Sequence, residues 1–88
     1  MKRYAVELTE SAEKDLYKLP AKIITRIVEV LKSLEESPRP HGCKKLKGYK
    51  NLWRIRVGDY RIIYAIEDVI LLIDVREIGH RKNIYKDL

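Results

Sequence analysis

The sequence predicts an α+β domain: an N-terminal strand, a helical hairpin, then a small, largely antiparallel sheet with the helices on one face and a short C-terminal helix. Three observations predict it. Apolar residues alternate with a period of two at the start of the chain (Tyr4, Val6, Leu8), recur at helical spacing from Ala12 to Leu34, and return to strand-like runs from Leu52 onward. The 88 residues are expected to form a single domain, 1–88. A chain this short buries only about 60–65% of the surface its unfolded form exposes.

In the opening strand Arg3, Ala5 and Glu7 separate the apolar positions, so one face is buried. Thr9 is placed to cap a helix whose first turn carries Glu10 and Glu13 beside the positive end of its dipole, and Ala12, Leu16 and Leu19 form its apolar stripe. Pro20 ends that helix and, since proline suits a first turn, starts a second one running to about Glu36. Ile23, Ile24, Ile27, Val28, Leu31 and Leu34 bury one side of it, while Lys22, Glu29, Lys32 and Glu36 stay in water. Ser37 to Lys50 holds two prolines, two glycines and five Lys or Arg residues, the composition of a surface loop that delivers charge. Three strands follow, Leu52 to Val57, Tyr60 to Ile66 and Val69 to about Ile78, joined by Gly58-Asp59 and Glu67-Asp68 as two-residue turns. Gly58 at the first central position suits a type II′ hairpin. The run Val69 to Ile78 has the length and β-branching of an interior strand, and Lys82 to Leu88 has room for one or two turns of helix.

Composition narrows the function classes. Charged residues at 36% and a longest apolar run of only Val69 to Ile73 rule out a membrane-spanning helix, which needs about 18 apolar residues. The opening MKRYAVELTE lacks the apolar stretch of a secretory signal, so a cytoplasmic protein without membrane contact is expected. Cys43 has no second cysteine to pair with, and with His41 and His80 it supplies too few ligands for a metal. Neither a metal nor another cofactor is expected.

The formal charge of +6 is unevenly spread. Between residues 39 and 61 stand Arg39, Lys44, Lys45, Lys47, Lys50, Arg54, Arg56 and Arg61 against Asp59 alone, while the flanking segments are close to neutral. Such a concentration is the footprint of a phosphate-backbone binder, with a solubilising basic face as the plain alternative.

Register sharpens this. A two-residue turn at Gly58-Asp59 sets Val57 against Tyr60, Arg56 against Arg61, Ile55 against Ile62, Arg54 against Ile63 and Trp53 against Tyr64. Trp53, Ile55, Val57, Tyr60, Ile62, Tyr64 and Ile66 then line the helix-covered face, and Arg54, Arg56 and Arg61 emerge together on the other. Like charges directly opposite each other cost something within about 0.2–1 kcal/mol, so this patch asks for an anion, and phosphate is the natural one. Counting on through Glu67-Asp68 puts Asp74 opposite Arg61, where it would orient the guanidinium or form an ordinary surface ion pair, with Arg76 on the same face near the rim. A one-residue slip would turn Asp74 and Arg76 toward the core.

After the last strand, Gly79 permits a sharp exit, and Arg81 and Tyr85, four apart, can share a helical face. The helix start TESAEKDLYKLP, the block KKLKGYKNLWRIRVGDYRIIY and the closing HRKNIY together resemble, over essentially the whole chain, the RelE branch of the RelE/ParE toxin superfamily. That resemblance implies a ribosome-dependent endoribonuclease that cuts mRNA in the small-subunit decoding site and is held inactive by a cognate RelB-like antitoxin, with operator DNA bound only through the antitoxin complex. It also implies the site: Arg54 and Arg56 at the family's basic backbone-contacting positions, Arg61 as the arginine of the GYR-like segment, Arg81 after the last strand and Tyr85 as the tail tyrosine. Where some members carry lysine, Arg54 and Arg56 cannot release a proton near neutral pH. Asp59 replaces an uncharged turn residue of some relatives.

The implied chemistry is attack of a ribose 2′-hydroxyl on the adjacent phosphate, giving a 2′,3′-cyclic phosphate and a 5′-hydroxyl without metal. It needs a base, cations for the charge-rich phosphorane and an acid for the leaving oxygen. Arg54, Arg56 and Arg61 suit the second task, Tyr85 held as phenolate by nearby guanidinium groups the first, and Arg81 the leaving group. His80 is the alternative acid or base, or a plain turn histidine. Lys44, Lys45, Lys47, Lys50 and Lys82 are expected to bind RNA or the ribosome, with Tyr49 and His41 of the basic loop placed to touch RNA, while Trp53, Tyr60 and Tyr64 pack in the core. The competing readings are a ParE-like, non-catalytic inhibitor of DNA gyrase, a general RNA-binding module, and an inactive toxin that only binds antitoxin and operator DNA.

Overall fold

In the computed structural model, which describes residues 3–83, the chain forms β1 (Ala5–Leu8), α1 (Glu10–Tyr17), α2 (Ala21–Leu34), β2 (Lys44–Lys45), β3 (Trp53–Val57), β4 (Tyr60–Glu67) and β5 (Leu72–His80). The five strands make one sheet in the order β1-β5-β4-β3-β2. Only β1 and β5 run parallel, and the other pairs are antiparallel. The expected α+β architecture is therefore present.

Local chemistry explains the helical hairpin. The Thr9 hydroxyl accepts the Ala12 amide at 3.1 Å and donates to the Arg76 carbonyl at 3.3 Å, so one side chain caps α1 and ties it to β5. Lys18 and Leu19 close α1, and Pro20, with no amide hydrogen to lose, caps the start of α2. Ala12, Leu16, Ile27, Leu31 and Leu34 meet Val57, Ile62, Tyr64, Ile66, Ile73, Val75 and Ile78 in a single core, with Tyr4, Val6, Leu8, Trp53, Ile55 and Tyr60 at its margin. Both helices thus cover the same sheet face.

The β3–β4 hairpin has the register anticipated from Gly58-Asp59, from Trp53 against Tyr64 to Arg56 against Arg61 and Val57 against Tyr60. Gly58 has φ +61° while Leu71 is the one non-glycine described residue with positive φ, so Asp59 lies at negative φ and the turn is type II′. Arg26 of α2 lies against Gly58, its Nη1 3.4 Å from where a side chain would begin, an ordinary contact with a flexible group, so it is the positive φ that calls for glycine here.

The next hairpin departs from expectation. Glu67 pairs with Leu72, so four residues, Asp68 to Leu71, form the connection and β5 begins three residues later than its apolar run. Val69 is 98% exposed. Tertiary contacts decide this: Asp68 accepts from the Tyr4 hydroxyl at 2.6 Å and from Arg39 at 3.3 and 2.8 Å, which holds it out of a tight turn, and Leu71 takes up the reversal at φ 53°. Asp74 consequently lies opposite Ala65, not Arg61.

A bulge then follows. Pairing runs from Tyr64–Val75 to Ile63–Glu77, leaving Arg76 as the extra residue, so the buried side of β5 passes from Ile73 and Val75 to Ile78. The carbonyl freed at Arg76 is the one Thr9 reaches. A further departure is β2: Lys44 and Lys45, expected in a loop, pair with Arg54 and Trp53 on the sheet edge.

Candidate nucleic-acid interface

The sheet face away from the helices carries the chemistry. Across four strands its rows are Lys44, Arg54, Ile63 and Glu77; then Arg56, Arg61 and Gly79; then, at the hairpin end, Asp59 and Arg81, whose backbone groups bond at 2.8 Å. Gly79 sets no side chain beside Arg61. The structure therefore gathers Arg54, Arg56, Arg61 and Arg81 on one face at one end, and adds Lys44 to them. At the other end, Asp74 and Glu7 are paired and the face turns acidic.

These cations are not equivalent. Arg61 was expected on an open wall but is only 9% exposed. Its Nη1 donates to the Gly58 carbonyl at 3.2 Å and the Tyr60 carbonyl at 3.1 Å, so the guanidinium is folded back on the turn. Ile63 and Ala65, on the same face, are buried as well. Arg56 is exposed and Arg54 half-buried. Arg81 is exposed, with its Nε 4.0 Å from Asp59, which keeps it over the hairpin end at little energetic cost. Asp74 does not orient Arg61, because the longer turn moves it along the strand, and it pairs with Arg76 at 3.6 Å instead.

Between the 41–44 segment and β3 lies a groove of about 370 Å³ lined by His41, Gly42, Lys44, Arg54, Ile55 and Arg56. It opens where β2 stops after two residues and leaves the rest of β3 as a free edge. Gly42 turns the chain here at φ +95°. None of the groove residues is acidic.

Other basic residues stand apart. Lys45 pairs with Trp53 and so belongs to the other face. The Leu46 amide bonds to the Leu52 carbonyl at 2.8 Å, closing a loop that carries Lys47, Tyr49 and Lys50 at the end of β3 remote from Gly58, a strand's length from Arg61 and Arg81. All three loop residues are exposed, as is Lys82. Arg39 is turned away altogether: it lies 5.1 Å from the Trp53 ring centroid and grips Asp68 with two nitrogens. Arg39 and then Tyr4 hold the Asp68 carboxyl below its usual range, while the hydrogen bond donated to Asp68 raises the Tyr4 phenol. Arg39 is raised chiefly by Asp68.

Of the two histidines, His80 is the one that departs from its candidate catalytic role. His80 pairs with Tyr60 on the helix-side face, its ring edge-on at 5.5 Å, and its Nδ1 accepts the Lys82 amide at 3.2 Å. That position takes it away from the guanidinium groups, because the bulge inverts which residues of β5 face the core. His41, expected in the basic loop where it could touch RNA, lines the groove. Tyr85 and the expected terminal helix lie outside the described residues, beyond a turn over 81–83. Trp53, Tyr60 and Tyr64 pack with the core as expected, and Tyr64, raised foremost by burial, donates to the Pro38 carbonyl at 2.9 Å. Among the described residues no group of three His, Cys, Asp or Glu side chains is placed to hold a metal ion.

Comparison with known proteins fits this geometry. Residues 6–85 match the family model described as ParE toxin of type II toxin-antitoxin system, parDE. Toxin RelE3 of Methanocaldococcus jannaschii is 39% identical over 82% of this chain and 84% of its own length. Toxin RelG of Mycobacterium tuberculosis is 31% identical over 94% of this chain and 97% of its own. Among solved structures, the archaeal RelE-RelB complex from Pyrococcus horikoshii OT3 superposes with a TM-score of 0.82 at 30% identity, covering 92% of this chain and 98% of the other.

Proposed function

We propose a reading that starts from membership: the chain belongs to the RelE/ParE toxin superfamily, as a RelE-type toxin of a toxin-antitoxin system. In this reading it is an endoribonuclease that cleaves mRNA in the decoding site of the small ribosomal subunit, in the cytoplasm, and a RelB-like antitoxin neutralises it and links it to operator DNA. The observation that carries the reading is the gathering of Lys44, Arg54, Arg56, Arg61 and Arg81 on one sheet face around the hairpin end, with Gly79 leaving space beside Arg61. The solved RelE-RelB complex supports the partner.

The reaction is transphosphorylation. The 2′-oxygen attacks the adjacent phosphorus as its proton passes to a base, the bond from phosphorus to the 5′-oxygen breaks, and that oxygen takes up a proton to leave as a hydroxyl. Arg54, Arg56 and Arg61 stabilise the extra negative charge that builds on the phosphorane, and Arg61 does so pre-oriented by its turn carbonyls. Arg81 stabilises the departing oxygen, and Tyr85 is assigned as the base. Glu77 and Asp59 stand at the margins of the cluster, but it holds no pair of carboxylates or histidines to move protons, in keeping with dependence on a ribosome that bends the message and presents one linkage.

The test is mRNA cleavage on programmed ribosomes by purified toxin, with 5′ and 3′ ends mapped, for wild type, Arg81→Ala and Tyr85→Phe. Loss of at least tenfold in single-turnover rate by each folded variant is expected, and unchanged rates reject the assignments. One observation favours a second reading: the matching family model is described by its ParE toxin. A ParE-like gyrase inhibitor would block DNA supercoiling and leave mRNA intact, so a supercoiling assay beside the cleavage assay separates the two.

A further inference from the structure

The groove at the edge of β3 contains one side chain that neither the catalytic assignments nor the basic patch uses. It is lined by His41 and Gly42, by Lys44 of β2, and by Arg54, Ile55 and Arg56 of β3. Its volume of about 370 Å³ lies at the lower end of the roughly 300–1,000 Å³ spanned by small-molecule sites. This is the scale of a single nucleotide unit. The other charged residues of the lining are all cations: Lys44 on β2, and Arg54 and Arg56 on β3. A phosphate is the ligand whose charge these lining groups match.

We infer that His41 is a phosphate-contacting residue of a nucleotide subsite in this groove, and that its protonation makes RNA binding tighter as pH falls. The inference rests on the proposed RNA substrate. The subsite would take the phosphate of a nucleotide flanking the scissile linkage, since Arg54 and Arg56 belong both to the groove and to the row beside Arg61. Histidine is the side chain whose ordinary titration spans pH 5–8, and a bound phosphate favours its charged form. Histidine is the one side-chain type in the lining whose charge changes in that range, so a pH dependence of binding is the readout that singles out His41. His80, on the opposite face against Tyr60, has no part in it.

The experiment is fluorescence anisotropy with a labelled 2′-O-methyl RNA hexanucleotide, which cannot be cleaved, at pH 5.5 and 8.0 and constant ionic strength. Wild type, His41→Gln and His80→Gln are compared. Wild type is expected to bind about three- to fivefold more tightly at pH 5.5, the scale of one exposed ionic contact. His41→Gln is expected to bind at both pH values with the wild-type affinity at pH 8.0, and His80→Gln to keep the full pH effect. The inference is overturned by a pH effect that persists in His41→Gln, by one that disappears in His80→Gln, or by wild-type binding that is absent or independent of pH. Cleavage on ribosomes is scored separately, so failure of the nuclease reading leaves a distinct signature: pH-dependent binding without cut message.

Discussion

Arg61 has two duties, and replacing it by methionine separates them. The aliphatic chain, buried on its sheet face, is largely preserved in Arg61→Met, while the guanidinium is lost. On the stability side, two contacts from a charged donor to the Gly58 and Tyr60 carbonyls disappear, each type worth about 1.5–3 kcal/mol at most. Both come from one nitrogen, and the exposed turn lets water replace them, so the loss lies near the low end. Against it stands relief of repulsion from Arg56 directly across the ladder, about 0.2–1 kcal/mol. The net expectation is destabilisation by about 0.5–1.3 kcal/mol, read as a lower urea midpoint and a Tm lower by about 4–8 °C for each kcal/mol in a domain of this size. On the functional side, removing one preorganised charge from a developing phosphorane costs about 10²–10³ in single-turnover rate. Arg61→Lys keeps a point charge but not a planar fork able to face carbonyls and phosphate together, so an intermediate rate is expected. Single-turnover cleavage on programmed ribosomes and urea denaturation are measured on the same preparations. A folded Arg61→Met with wild-type cleavage removes Arg61 from the site, and full activity in Arg61→Lys refutes the need for fork geometry.

Four further outcomes test the scaffold. Thr9→Ala removes the α1 cap and its bond to the bulge carbonyl, and about 1–2 kcal/mol should be lost in denaturant titrations. Tyr64→Phe deletes the only side-chain donor to the Pro38 carbonyl among the described hydrogen bonds, and a loss of about 1–3 kcal/mol is expected, without change in far-UV circular dichroism. Asp68, depressed in the folded state, contributes stability that is present above its unfolded value near ~3.9 and is lost as pH falls through its lower folded value, so the urea midpoint should drop less between pH 7 and pH 3 in Asp68→Asn than in wild type. Tyr4, raised by the same contact, acts at the other end: its contribution is present below about pH 10 and is lost as pH rises further, and Tyr4→Phe should flatten that alkaline decline.

Much of the fold was legible because its signals are local. A period of two, a 3.6-residue stripe, a threonine before two glutamates, a proline between helices and a glycine at a hairpin corner each act through neighbours in sequence, so the helical hairpin and the β3–β4 register could be read without a partner. The face shared by Arg54, Arg56 and Arg61 followed from that register alone, and the family resemblance followed from the same blocks.

What sequence left open depends on residues far apart in the chain. Arg39 counted as one more cation of the basic window until Asp68, Tyr4 and Trp53 claimed it. The same capture lengthened the β4–β5 turn and moved Asp74 away from Arg61, and the bulge at Arg76, bonded by Thr9, sent His80 to the helix side. Lys44 became a strand residue only because the edge of β3 offered unpaired backbone groups. Composition and periodicity thus determined that a positively charged sheet face exists and which hairpin builds it. Tertiary structure decided which cations reach that face and which histidine joins them, because long-range ion pairs and hydrogen bonds compete for the same side chains and no pattern along the chain records the outcome.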